Sequence, residues 1–329
     1  MKNKAVWFRR GLCALAVSLA ASAHAQQVSM ETGTPSSVSG LVPQTMASYW
    51  ARDGVEVQLS MNQTMSKSLL KLGQGALDAA MVPPNGLKAL ANGTEPYVGL
   101  GDKGVAMADN IRALFSVPTS IYHPMVWADS GIESWENAAG KRIFIGPPGG
   151  AANAQIVALA ESGGLSSGQY EAVKAPWGVA AQGFQDGQFD VLVMTYALGS
   201  QALSELSLSR NIRLLSLASD KAEPPEGLGL TPAFSCPANT YPGQENADDS
   251  VTWQTLMMMG VRKDLSDDVA YQLTKSYFSH VNEMAKSNAL LADLPKADPL
   301  KGLNAKLHPG AVRYYREAGI QVPDELLSK

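Results

Sequence analysis

A glycine- and proline-rich loop is the stretch of this chain best suited to chemistry. Gly146-Pro147-Pro148-Gly149-Gly150 follows the short run Arg142-Ile143-Phe144-Ile145 and leads into 152–162, where Ile156, Val157, Leu159 and Ala160 have the spacing of a helix face. Gly163-Gly164 stops that helix. A loop that delivers a strand onto a helix start aims unpaired N–H groups at one point, and the helix dipole makes that point attractive to an anion. Glycine is common in such turns whether or not they bind anything, so the loop allows a ligand without requiring one. It has neither the Gly-Lys-Ser/Thr of a P-loop nor GxGxxG, which disfavours a nucleotide.

The other reactive side chains are spaced badly for catalysis. Gly164-Leu165-Ser166-Ser167-Gly168 matches the G-x-S-x-G pattern of serine hydrolases, but a nucleophile elbow needs a strand before it, and here a helix precedes. His123 stands before a proline in a strand, His308 stands at a helix start, and no histidine pair has metal-ligand spacing. Cys236 lies in a proline-rich connector without a partner base. Met257-Met258-Met259 reads as core strand, since successive strand residues point to opposite faces and do not converge on one ion. No catalytic residue, metal or cofactor is expected.

The elements that must position the glycine loop alternate along the chain. Strands are predicted over 28–32, 55–59, 78–82, 111–117, 123–127, 142–145, 172–173, 190–194, 212–215 and 256–261. Helices are predicted up to Arg52 through Met46, Tyr49 and Trp50, and over 66–72, 87–91, 131–138, 152–162, 179–185 and 198–206. A long helix capped by Ser266 runs to about Ser287, and a last one starts at His308-Pro309-Gly310. Residues 102–109 read as a polar loop and 221–241, with its several prolines, as a connector. The pattern is that of doubly wound α/β sheets.

The first 25 residues stand apart. Lys2, Lys4, Arg9 and Arg10 form a positive start, 11–21 is an apolar core too short to span a bilayer, and Ala23-His24-Ala25 is a cleavage site, so a secretory leader cut after Ala25 is expected. With those four cations gone, the 26 basic residues of the full chain fall to 22 against 30 acidic ones, a net charge of −8. That balance disfavours nucleic acid and anionic membrane surfaces as partners. Of two cysteines only Cys236 remains, so no internal disulfide is available. The expected product is periplasmic and monomeric.

Two α/β halves joined near 117–122 and again within 221–241 leave a cleft, and strand C-terminal ends at such clefts bind small ligands. The expected lobes are 26–119 with 236–329, and 120–235. Four loops face the cleft on this reading, carrying the candidates Thr32, Gly33, Thr34 and Ser37; Gln63 and Thr64; Gly149, Gly150, Ala151, Ala152 and Asn153; and Tyr196. Trp177 and Tyr196 are aromatics that either stack on a ligand or pack under a neighbouring loop.

Three segments carry a resemblance: the strand, loop and helix of GKRIFIGPPGG, the run Ala238-Asn239-Thr240-Tyr241-Pro242-Gly243-Gln244, and above all LHPGAVRYYREAG from Leu307 to Gly319. Together they resemble the TAXI-type solute-binding proteins of TRAP transporters over nearly the whole chain after the leader. The resemblance implies a two-lobed periplasmic-binding-protein clamshell of type II-like form, with two doubly wound mixed sheets and an interdomain cleft. It also implies capture of a small carboxylate or amino acid and delivery to a TRAP-type permease, with no enzymatic residues. A sensor that presents its ligand to a membrane receptor is the alternative, and an enzyme on the same fold a more distant one. Departures fall in the loops: Gly150-Ala151-Ala152 stands where the family carries a serine and a threonine, Gln63-Thr64-Met65 replaces a Gly-Gly-Ser, and Thr195-Tyr196-Ala197-Leu198-Gly199 replaces Val-Ala-Gly-x-Pro. Each hydroxyl lost from a carboxylate site removes about 1.5–3 kcal/mol of hydrogen bonding to charge, so a ligand less polar than the family's, or differently shaped, is expected.

Overall fold

The computed structural model describes residues 26–328 except Ser36, Glu95, Ser219, Lys221 and Ala222; the expected leader and its cleavage point lie outside the described residues. In chain order come β1 (Gln26–Glu31), α1 (Val38–Arg52), β2 (Val55–Ser60), α2 (Met65–Gly73), β3 (Ala79–Val82), α3 (Pro84–Asn92), α4 (Asp102–Asp109) and β4 (Ile111–Trp127). Next are β5 (Arg142–Phe144), α5 (Ala152–Ser162), β6 (Glu171–Val173), α6 (Trp177–Gln185), β7 (Val191–Tyr196), α7 (Gln201–Ser209) and β8 (Ile212–Leu214). The chain ends with β9 (Leu230–Cys236), β10 (Ser250–Arg262), α8 (Asp267–Ser287) and α9 (Pro309–Glu317).

Two parallel blocks, β2-β1-β3 and β7-β5-β6, are joined through the antiparallel strands β10 and β4 into one ladder of order β2-β1-β3-β10-β4-β7-β5-β6. The fold is a two-lobed mixed α/β architecture whose sheets share these two long strands. Apolar packing divides along them. Val28 to Val117 and Met258 to Leu326 contribute one core, while Ile121 to Trp253 contribute two smaller ones, with Cys236 and Tyr241 packed beside Ile121 and Met194. Between the cores β10 shifts register at Gln254/Leu256. There the Thr255 hydroxyl donates to Ser120 O at 2.9 Å, and Thr119 Oγ1 lies 2.7 Å from Thr255 Oγ1.

Local chemistry sets the helix ends. Ser266 accepts from Val269 N at the start of α8, and His308 Nδ1 accepts from Gly310 N at the start of α9. A Cβ on Gly310 would sit 2.2 Å from Asp267 O, so only glycine lets α9 cross α8 this closely. Tyr315 Oη then donates to Leu114 O at 2.8 Å. The run from Leu307 to Gly319 is thus an anchor for the C-terminus.

Four readings of the sequence need correction. Residues 102–109 form a helix, not a loop: Gly104 lies against Leu90 and Met107 against Gly73, so packing on α2 and α3 overrides a polar composition. The expected connector contains β9, which among the described residues pairs only with β10; Pro232 excludes a central parallel strand but not an edge strand with a register shift. Only a 3-10 turn at Glu136–Ala138 forms where a helix over 131–138 was expected. The strands predicted over 111–117 and 123–127 are one, running through Pro118 and Pro124.

Candidate functional site

In the first lobe the loops after β1 and β2 are tied together by backbone bonds: Thr32 N to Ser60 O (3.0 Å), Asn62 N to Gly33 O (3.0 Å) and Gln63 N to Thr32 O (3.1 Å). A proline dictates what Thr32 does. Pro43 lies inside α1 and has no N–H for the carbonyl of Ser39 four residues back. The fully buried Thr32 hydroxyl donates to that orphaned carbonyl. The side chain of Ser37 caps α1 by accepting from Gly40 N, and a Cβ on Gly40 would sit 2.0 Å from Thr34 O. Below the loop the Glu31 carboxylate accepts from Ser68 Oγ at 2.7 Å and pairs with Lys71 Nζ at 2.5 Å. Gln63 donates to Met61 O, while Thr64 is exposed and its hydroxyl makes no cap bond to α2.

The glycine loop of the second lobe turns through left-handed conformations at Gly146 (φ 97°) and Gly149 (φ 66°). Asn153 closes it, its Nδ2 donating to Ile145 O at 2.6 Å and Pro147 O at 3.2 Å. The Asn153 amide is therefore committed to shaping the loop. Trp177 packs edge-to-face on Phe144, 5.4 Å between centroids, beside Gly146. Gly150 N and Asn153 N bond within the turn, whereas among the described residues no protein group accepts from Ala151 N or Ala152 N at the start of α5. The start of α5 thus leaves two backbone donors without a protein acceptor.

Tyr196, at the end of β7, lies edge-on to His123, 5.8 Å between centroids, and burial raises its phenol pKa. His123 is fully buried; burial pushes its pKa down to about 3, opposed by its bond to Ile121 O. A carbonyl only accepts, so Nδ1 carries the proton toward Ile121 O (3.1 Å) and Nε2 accepts from Tyr241 Oη (2.7 Å). Tyr241 in turn accepts from Gly199 N at 3.2 Å, which fixes the loop after β7.

The lobes meet where α3 faces the glycine loop. A cavity of about 340 Å³ lies there, lined from the first lobe by Asn85, Lys88 and Pro96 among others, and from the second by Gly149, Gly150, Ala151 and Asn153. Glu226 to Leu228 close a third side, and Gln155 Nε2 holds Leu228 O at 2.7 Å. The structure thus gathers four of the expected residues on one cavity. Thr32, Gly33, Thr34, Ser37, Gln63 and Thr64 form a separate cluster in the first lobe, Ala152 adjoins the cavity in sequence, and Trp177 and Tyr196 lie off its lining. Asn85, which crosses the cleft to donate to Ala151 O at 2.9 Å, was missed. Its signal was the third strand-to-helix turn of the first lobe, where Pro83-Pro84 reads only as a strand stop.

The groups that suggested chemistry elsewhere are spoken for. Ser166 is exposed beyond the end of α5, with Ser166 N bonded to Gln169 Oε1. The Cys236 thiol is buried and its pKa is pushed up to about 11 by desolvation, which suppresses thiolate chemistry. Among the described residues no cluster of three His, Cys, Asp or Glu could hold a metal, and no helix is long and apolar enough to cross a membrane.

The model of the NMT1-like family matches residues 30–319. Among solved structures the chain is similar to a periplasmic sulfonate-binding protein SsuA from Methylobacillus flagellatus KT, with a TM-score of 0.51 and 12% identity over 92% of this chain and 91% of that one. It is also similar to the alkanesulfonate-binding protein SsuA from Xanthomonas axonopodis pv. citri bound to MOPS (0.48, 14%, 92% and 94%). A third is the periplasmic aliphatic sulphonate-binding protein SsuA from Escherichia coli (0.47, 12%, 92% and 88%). At such identities the likeness is one of fold, the two-lobed architecture of periplasmic binding proteins.

Proposed function

The chain belongs to the NMT1-like family, and we propose that it is an extracytoplasmic solute-binding receptor that captures a small organic acid between its lobes and hands it to a membrane permease. The observation that carries this reading is the cavity bounded by both lobes, with the unpaired N–H groups of Ala151 and Ala152 beside it. The crossing strands support the motion such capture needs. We take 118–120 and 254–256 as the hinge, because the cores stop on either side of it. On this reading the second lobe extends to about residue 254, further than the boundary at 235 expected from the sequence. Ligand contacts from both lobes then stabilise the closed form.

For the partner we favour a TRAP-type permease, on the resemblance of Leu307 to Gly319 to TAXI-type proteins; the sulfonate transporter named for the Methylobacillus structure is of ABC type. The contacts of the glycine loop with the solute differ on this reading from those of the TAXI-type proteins it resembles, because Gly150, Ala151 and Ala152 bring no hydroxyl to the loop. Calorimetry and thermal shift against carboxylates, amino acids, sulfonates and neutral metabolites test the reading. One acid class binding saturably, with a stabilisation of about 2.7 kcal/mol at a hundredfold excess over Kd, is expected. A neutral metabolite as the sole ligand, or no ligand in any class, refutes it. Reconstituted uptake with each permease type, driven by an ion gradient or by ATP, decides the partner.

A further inference from the structure

We propose that Asn85 is the specificity-determining residue of the cleft. Its side-chain oxygen selects small acids that carry a hydrogen-bond donor, a hydroxyl or an ammonium, beside their acid group. The inference rests on the solute-binding reading above and adds to it the residue that discriminates among solutes.

Asn85 lies in the first turn of α3, is only 7% exposed, and lines the cavity between the lobes. Its Nδ2 reaches across the cleft to Ala151 O, while its Oδ1 is buried and meets no donor. The orientation of the amide follows from its neighbour: turned over, it would set Oδ1 against the Ala151 carbonyl, two acceptors facing each other. A buried acceptor without a partner is uncommon in folded proteins and calls for a reason. The opposite wall has the complementary shortage: among the described residues no protein group accepts from the N–H of Ala151, which lines the cavity, or from that of Ala152 next to it at the start of the eleven-residue α5.

Parting the lobes breaks the Asn85 to Ala151 bond and opens both shortages to an entering molecule. A molecule that satisfies both offers acceptors to α5 and a donor to Asn85. Its acid group suits the helix start, and Lys88 and Lys174, which line the same cavity from opposite lobes and join no ion pair among the described residues, outnumber its one lining carboxylate, Glu226, and favour the same sign of charge. The polarity that Gly150, Ala151 and Ala152 lack is thus supplied from across the cleft. A strut between the lobes would act differently, since losing it lowers affinity for every ligand by the same factor.

The test is calorimetry on the full chain after the leader with matched pairs: lactate and propionate, malate and succinate, glutamate and glutarate, taurine and ethanesulfonate. The wild type is expected to prefer the donor-bearing member of the binding pair by about tenfold or more. Asn85→Ala is expected to cut that preference to about twofold while leaving the donor-free member within about threefold of its wild-type affinity. Asn85→Ser, which keeps a shorter acceptor, serves if the alanine variant unfolds or loses all binding, and is expected to retain part of the preference. Equal affinities in the wild type, or a preference unchanged in the variants, overturn the role of Asn85 and leave solute binding intact. Failure of every pair to bind the wild type counts against the solute-binding reading itself and takes the role of Asn85 with it.

Discussion

Replacing His123 with glutamine is expected to remove a pH dependence that the fold carries in its second lobe. The histidine is sealed between Ile121 O, Tyr196 and Tyr241, with a pKa of about 3 in place of the ordinary 6.5. Because the folded value is depressed, the native state holds fewer protons than the unfolded chain between those two values. The stabilisation is therefore complete above pH 6.5 and is lost as pH falls toward 3. Each pH unit in that window is worth about 1.4 kcal/mol, so the wild type loses about 2 kcal/mol between pH 7 and pH 5 through this residue alone. In a chain of this length that corresponds to a fall of about 3 °C in Tm. His123→Gln keeps a neutral amide in the pocket and does not titrate. It is expected to be the less stable protein at pH 7, by about 1–2 kcal/mol for an imperfect hydrogen-bond match. Urea unfolding at half-unit intervals from pH 7 to pH 5 reads the difference between the two proteins, from which His308 and the carboxylates cancel. A gap that narrows or inverts by about 2 kcal/mol supports the reasoning. A gap constant to within about 0.5 kcal/mol shows that His123 accepts a proton in place, and refutes it.

The two glycine-dependent loops make further expectations. Asn153→Ala removes the two bonds that close the loop before α5, so it is expected to lower stability by about 1–2 kcal/mol and to weaken solute binding together with it; unchanged Tm with weakened binding would mean that Asn153 touches the ligand instead. Gly40→Ala drives a Cβ to 2.0 Å from Thr34 O, and is expected to cost about 1–3 kcal/mol and to disturb the loop after β1, read as lower Tm and reduced affinity. Gly178→Ala is the contrasting case: nothing lies within 4 Å of its added Cβ, and it sits in α6, so a gain of up to about 1 kcal/mol in Tm scans is expected. Asp190 accepts from Arg142 N, Nε and Nη2, and this bonding, chiefly to the Arg142 side chain, lowers its pKa below 3.8. Its contribution is present above that value and lost as pH falls below it; with both side chains about a third exposed it amounts to about 1 kcal/mol or less. The Tm curves of wild type and Asp190→Asn are expected to differ at pH 7 and to draw together as pH falls below 3.8.

Features set by residues close in sequence are legible in the chain itself. Ser266 caps α8 as expected, α9 starts at the expected His308-Pro309-Gly310, and α5 spans Ala152–Ser162 as its apolar spacing predicts. Features that depend on distant partners are not. The 102–109 segment has no helical signature of its own and forms α4 because Gly73 leaves room for Met107 and Gly104 leaves room for Leu90. Pro118 and Pro124 read as the end of one strand and the start of another. In the fold they lie within one strand, Pro118 opposite Leu256 of β10 and Pro124 opposite Val193 of β7, partners far along the chain.

The same distinction decides which candidate residues keep their side chains for a ligand. Thr32 reads in the sequence as a cleft hydroxyl, yet Pro43 withholds the N–H that Ser39 O needs inside α1, and Thr32 supplies it. Proline frees the carbonyl four residues before it wherever it sits inside a helix, so a threonine close by is a candidate donor on sequence grounds alone. Asn153 is spent in the same way on Ile145 O and Pro147 O. Asn85 had no comparable signal, because its partner lies 66 residues away in the other lobe. Hydroxyls and amides near a predicted cleft have therefore to be discounted first for the local backbone groups they satisfy. What survives that subtraction at the cavity is one buried oxygen on Asn85 and, from the other lobe, the N–H of Ala151 with that of Ala152 next to it in the chain.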